Sequence, residues 1–121
     1  KCYCCELNFD QVMNYADTER FYKPLPKYPA INRDIALLVN EEVYAAEMER
    51  TIWESGTSLL ERVELFDIYR GKQVQQGKKS VAYTLTYRAS DRTLTDEEVT
   101  KVHQNVLDSL KEKLDAVLRD V

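Results

Sequence analysis

Residues able to do chemistry are few and unevenly placed in this 121-residue sequence. Cys2, Cys4 and Cys5 are its three cysteines, and all lie within four residues. Thiols this close cannot form a long-range staple. Cys2 and Cys5 stand three apart, but there is no second cysteine pair and the one histidine, His103, lies far downstream in a predicted helix, so a zinc site is poorly supported. The cysteines read instead as small apolar residues of a strand, their free thiols suited to a reducing cytoplasm. Asp96, Glu97 and Glu98 resemble a metal cluster, but at the first turn of a helix the macrodipole favours carboxylates without any metal. His103 falls between Val102 and Val106 but off their stripe, and reads as an exposed helical histidine rather than a general base. No Ser/His/Asp or Cys/His signature, glycine-rich phosphate loop or Gly-x-Gly-x-x-Gly is present. The segment is therefore expected to be non-catalytic, with no catalytic residue, metal or cofactor of its own.

The net charge of −4 argues against a globally basic nucleic-acid binder. The distribution is more informative. Residues 41–69 carry two positive and eight negative charges, whereas residues 70–94 carry six and one. An anionic partner can dock on that basic stretch despite the acidic total. The plainer alternative is a solvated loop whose lysines serve solubility. Hydrophobic residues at 44% and charged ones at 31% are ordinary for one soluble domain. No apolar run reaches the roughly 20 residues that span a bilayer, so no membrane partner is expected. The chain opens Lys1-Cys2-Tyr3 without a methionine, as expected of a piece of a longer protein.

The elements that must position these residues follow from periodicity. Cys2 to Phe9 alternates loosely and reads as a short strand belonging to a preceding domain. Residues 13–29 read as a linker, polar and then punctuated by Pro24, Pro26 and Pro29. Ile31 to Val39 is apolar on both faces, as a central strand is. Residues 44–55 read as a helix with Tyr44, Met48 and Ile52 on one stripe, closed by Gly56 in a left-handed conformation. Leu60 to Tyr69 reads as a strand, with Val63, Leu65, Asp67 and Tyr69 on one face and Phe66 and Ile68 on the other. Lys79 to Arg88 is its hairpin partner, in which Val81, Tyr83, Leu85 and Tyr87 alternate with Ser80, Ala82, Thr84 and Thr86. Thr95 and Glu98 form a capping box that opens a helix to about Lys113, striped by Val99, Val102, Val106, Leu110 and Leu114. A weak last strand covers Ala116 to Arg119. The order strand, helix, strand, strand, helix, strand predicts an α+β, ferredoxin-like split βαβ fold. Two helices cover one face of a four-stranded antiparallel sheet and leave the other open.

Four blocks carry a resemblance. They are Tyr28-Pro29-Ala30-Ile31-Asn32-Arg33-Asp34-Ile35-Ala36-Leu37, then Leu60-Glu61-Arg62-Val63-Glu64-Leu65-Phe66-Asp67-Ile68-Tyr69-Arg70-Gly71, then Gly77-Lys78-Lys79-Ser80, then Arg92-Thr93-Leu94-Thr95-Asp96-Glu97-Glu98-Val99. In order and spacing they resemble the ferredoxin-fold anticodon-binding domain that closes the β chain of bacterial phenylalanyl-tRNA synthetase. The resemblance covers residues 28–121. Residues 1–27 are then the end of the preceding domain and its connector, and the cysteine-rich stretch falls outside the family pattern.

The resemblance implies a tRNA-binding module of a cytoplasmic phenylalanine–tRNA ligase that recognises the anticodon of phenylalanine tRNA. It places Asp67 and Tyr69, from the Phe-Asp-x-Tyr block, against the anticodon. The chemistry is suitable: an unpaired base can stack on a tyrosine ring, and a carboxylate can accept from N1–H and the exocyclic amine of guanine. Without the family, Tyr69 reads as a strand-end aromatic on the core and Asp67 as a turn or ion-pair carboxylate. Arg33, Arg70, Lys72, Lys78, Lys79, Arg88 and Arg119 are candidates for tRNA backbone contacts, which position rather than specify. Arg33 can instead pair with Asp34 to fix the strand entry. The family also implies a synthetase α chain as partner, in a heterotetramer of two α and two β chains, with ATP and Mg²⁺ handled by the α chain and no DNA partner. A second reading is a protein-interaction or small-molecule regulatory domain using the open sheet face, to which Val63 and Leu65 beside Asp67 would lend apolar surface. A third, an acylphosphatase-type hydrolase, lacks a phosphate cradle.

Overall fold

Strict alternation in two adjacent strands builds the centre of the molecule. The structure, a computed structural model, describes every residue except Thr18, Arg20, Lys23, Lys72, Gln73, Asp120 and Val121. Strand β1 (Ile31–Asn40) sends Ile35, Leu37 and Val39 to one face. Its antiparallel neighbour β3 (Lys78–Tyr87) sends Val81, Tyr83, Leu85 and Tyr87 to the same face, with Ile35 opposite Tyr83 and Leu37 opposite Val81. Strand β2 (Leu60–Tyr69) pairs with the far side of β3, and the two-residue β4 (Val117–Leu118) with the far side of β1. The sheet order is β2-β3-β1-β4, antiparallel throughout. With helices α2 (Ala45–Ser55) and α3 (Asp96–Leu114) inserted between strands, this is the ferredoxin-like arrangement that the sequence predicts.

The two helices pack on the apolar face. Met48 and Ile52 of α2 and Val106 and Leu110 of α3 are wholly buried against β1 and β3. Each such side chain removed from water contributes about 1.5–3 kcal/mol. Tyr44 stands outside the expected stripe: it is the N-cap residue of α2 and is exposed, while Glu47 reaches back to its backbone N–H. At the other end of α2, Gly56 keeps a right-handed conformation, and Thr57 takes the positive φ that the sequence assigned to the glycine. Gly56 answers a packing need, since a Cβ there would lie 2.3 Å from Leu60 Cδ2.

Helix α3 opens on the expected capping box. Thr95 Oγ1 accepts from the Glu98 N–H and Glu98 Oε2 accepts from the Thr95 N–H. Arg92 donates to the same carboxylate, and these bonds hold the Glu98 pKa down at about 2.

The N-terminal stretch departs from expectation. No strand forms over Cys2 to Phe9; residues 1–8 are irregular and Phe9–Met13 is a short helix, α1. The Asn8 side chain accepts from the Gln11 N–H and so starts a helical turn. A strand needs a ladder partner, and among the described residues none pairs with this stretch. The three cysteines are free and exposed.

Candidate nucleic-acid interface

One extra residue decides what the open sheet face displays. The β2–β3 register shifts between Leu65 and Asp67, leaving Phe66 as a bulge. Before it, Val63 lies opposite Leu85 and Leu65 opposite Tyr83, both on the helix-covered face. After it, Asp67 lies opposite Ala82 and Tyr69 opposite Ser80, on the open face. Unbroken alternation would have put all four on one face; the bulge separates the apolar pair from Asp67 and Tyr69. Asp67 and Tyr69 do share a face, as their two-residue spacing requires.

Two rows of residues cross the open face at this level. The first runs Asp67, Ala82 and Ala36, and Arg119 N–H donates to the Ala36 carbonyl. The second runs Tyr69, Ser80, Leu38 and Val117. The small residues Ala36, Ser80 and Ala82 make a shallow floor. Over it Arg119 reaches inward from the edge beyond β4: its Nη1 donates to Ser80 Oγ at 3.4 Å and its guanidinium lies 5.8 Å from the centroid of the Tyr69 ring. Asp67, Arg119 and Tyr69 thus stand on one face around small residues, of which Ser80 and Ala82 are themselves buried. Farther along the same face, Asn32, Arg62, Glu64, Thr84 and Thr86 line a polar cleft in which Arg62 pairs with Glu64.

The basic candidates separate by their partners. Arg33 lies on the helix side and pairs with Asp96 at 2.8 Å, not with Asp34, which accepts from Thr84 Oγ1 instead. The reason is alternation: neighbours in a strand face opposite ways. Lys79 is buried, its Nζ donating to the Glu41 carbonyl. Arg88 donates to Glu61 and to the Tyr28 carbonyl, tying the proline-punctuated stretch to the sheet. Arg70 pairs with Glu41. Lys78 stands opposite Asn40, on the open face and in step with Ser80. Lys72 lies outside the described residues. Arg70, Lys78 and Arg119 lie at the end of the sheet that carries Tyr69, where Arg70, like Arg33, Lys79 and Arg88, already has a partner within the fold.

Sequence reasoning missed Ala36, Ser80 and Ala82 as the floor. The signal was present in the small and polar alternate residues of β3. It also missed His103, which is half-buried with Nδ1 3.1 Å from the Tyr87 hydroxyl and their rings edge to face. Burial lowers the His103 pKa, with nearby Arg33 acting in the same direction, and burial pushes Tyr87 up to about 12. This pair joins α3 to the end of β3, on the helix-covered side of the sheet. Among the described residues no cluster of three or more His, Cys, Asp or Glu could hold a metal ion, and no helix is long and apolar enough to cross a membrane.

A four-stranded sheet with both helices on one side and this constellation on the other defines a ferredoxin-fold binding module. The model of the ferredoxin-fold anticodon binding domain matches residues 26–119, and the chain belongs to that family. Over 98% of its length it is 50% identical to the phenylalanine–tRNA ligase beta subunit of Clostridium tetani and 45% identical to that of Clostridium acetobutylicum. Over 90% it is 46% identical to the beta subunit of Symbiobacterium thermophilum. It spans only 15% of each clostridial subunit and 12% of the third.

Proposed function

We propose that this chain is the anticodon-reading module of a phenylalanine–tRNA ligase β subunit and that Asp67 and Tyr69 read the anticodon of phenylalanine tRNA. The observation that carries the reading is the placement of Asp67 and Tyr69 side by side on the open face, over the floor of Ala36, Ser80 and Ala82. An unpaired base stacks on Tyr69, an interaction worth roughly 1–3 kcal/mol. The Asp67 carboxylate accepts from the Watson–Crick edge of guanine, which offers two adjacent donors that adenine, uracil and cytosine do not match. Arg119, Arg70 and Lys78 supply positive charge where the backbone of that strand would pass.

The module works without catalytic groups. ATP, Mg²⁺ and phenylalanine belong to the α chain of a cytoplasmic heterotetramer of two α and two β chains. The competing reading, a protein-interaction face, drew its support from Val63 and Leu65 beside Asp67. The bulge at Phe66 sets both opposite helix-side residues of β3, away from the face that carries Asp67. The test is made in the assembled enzyme with Tyr69→Ala and Asp67→Ala. Both weaken tRNA charging through tRNA affinity and leave amino-acid activation intact. Loss of activation with unchanged tRNA affinity would refute the assignment.

A further inference from the structure

We infer that Gly71 is a positioning residue for the Tyr69 ring, an inference that deepens the base-stacking reading and rests on it. Gly71 does not adopt a positive φ, so no backbone requirement explains a glycine there. The requirement is space. A Cβ on Gly71 would lie 2.4 Å from the Tyr69 hydroxyl oxygen, 2.6 Å from Cζ and 3.1 Å from Cε1. Gly71 lies in the bend that follows β2, and the outer end of the Tyr69 ring rests where its side chain would be. Arg119 bounds the same ring, 5.8 Å from its centroid. The ring of Tyr69 is thus set between a bare backbone at its tip and a guanidinium over one face. A base can then enter without reorganising its platform, which lowers the cost of binding.

The atoms that would clash belong to the far end of one exposed side chain, not to the core. Gly71→Ala is relieved by swinging the ring, with little effect on stability. A merely structural glycine behaves in the opposite way: its replacement lowers stability and leaves the ring in place.

The experiment uses the 121-residue chain with Gly71→Ala, Tyr69→Ala and the double variant. Three readouts are taken: thermal stability, the ring resonances of Tyr69 in the RNA-free protein, and affinity for an anticodon stem-loop of phenylalanine tRNA. Gly71→Ala is expected to shift the Tyr69 ring resonances, keep the melting temperature close to that of the parent, and weaken binding about threefold or more. Tyr69→Ala weakens binding by roughly 5- to 100-fold, the range of a base–aromatic stack. In that background Gly71→Ala costs nothing further, because its effect passes through the ring. Unmoved ring resonances would overturn the inference, as would an equal loss of binding with and without the ring. If Tyr69→Ala itself leaves binding untouched, the base-stacking reading fails, while the ring resonances still decide whether Gly71 sets the pose.

Discussion

Arg119 and Tyr69 belong to opposite edges of the sheet, yet the guanidinium of one lies 5.8 Å from the ring centroid of the other. The contact spans β1 and β3, and it exists because the residues beneath it are small: Ala36, Ala82 and Ser80. A cation beside an aromatic ring contributes about 0.5–1 kcal/mol at an exposed site.

The ring, rather than its hydroxyl, is the expected base platform. Tyr69→Phe should retain most of the affinity for an anticodon stem-loop, whereas Tyr69→Ala should lose roughly 1–3 kcal/mol. Isothermal titration of both variants checks this. An equal loss in the two would shift the role to the hydroxyl.

Asp67 is expected to supply discrimination. Asp67→Asn replaces one acceptor oxygen with a donor and removes the charge, at a cost of about 1.5–3 kcal/mol for a guanine-containing loop, as for other hydrogen bonds to charged groups. A loop with another base at that position should bind parent and variant with similar affinity. The ratio of the two affinities, measured for each protein, is the readout.

Acid should weaken the fold through His103. Burial holds its folded pKa below the ordinary 6.5, so the unfolded chain binds more protons once the pH falls below that value. The stability that the neutral ring contributes is complete above 6.5 and is lost as the pH falls toward and through the folded pKa. His103→Phe removes the titration and should flatten the fall in stability as the pH drops below 6.5. It also leaves the Tyr87 hydroxyl without its Nδ1 partner, lowering stability at neutral pH by about 1–3 kcal/mol. Denaturant unfolding of both proteins at neutral pH and below 6.5 measures the two effects separately.

The start of α3 titrates much lower. With its pKa held at about 2 by Arg92 and the Thr95 N–H, Glu98 contributes stability that is present above its ordinary 4.5 and is lost as the pH falls through about 2. Thr95→Ala removes the cap oxygen and should cost about 0.5–2 kcal/mol at neutral pH. Thermal melts of the variant, with its helical signal, test the cap directly.

Much of this was legible in the residues. The alternation of Ile35, Leu37 and Val39 against Val81, Tyr83 and Leu85 marked the central strands, and Thr95 with Glu98 marked the start of α3. The pairing of Asp67 with Tyr69 on one face followed from their spacing. The bulge did not, because Phe66 is apolar and continues the pattern it interrupts; only the partner strand shows that it has no opposite residue. The reach of Arg119 depends on the sheet order, which places residues from both ends of the domain over one floor. His103 looked exposed by its helical phase, yet Tyr87 lies within reach of its ring.

The most direct measurement is an NMR titration of the chain with a phenylalanine anticodon stem-loop, beside one whose first anticodon base is changed from guanine to cytosine. Binding through the open face predicts shifts at Asp67, Tyr69, Ser80 and Arg119 that weaken with the altered loop. No shifts at those residues, or equal shifts with both loops confined to the lysines, would contradict anticodon reading by this face.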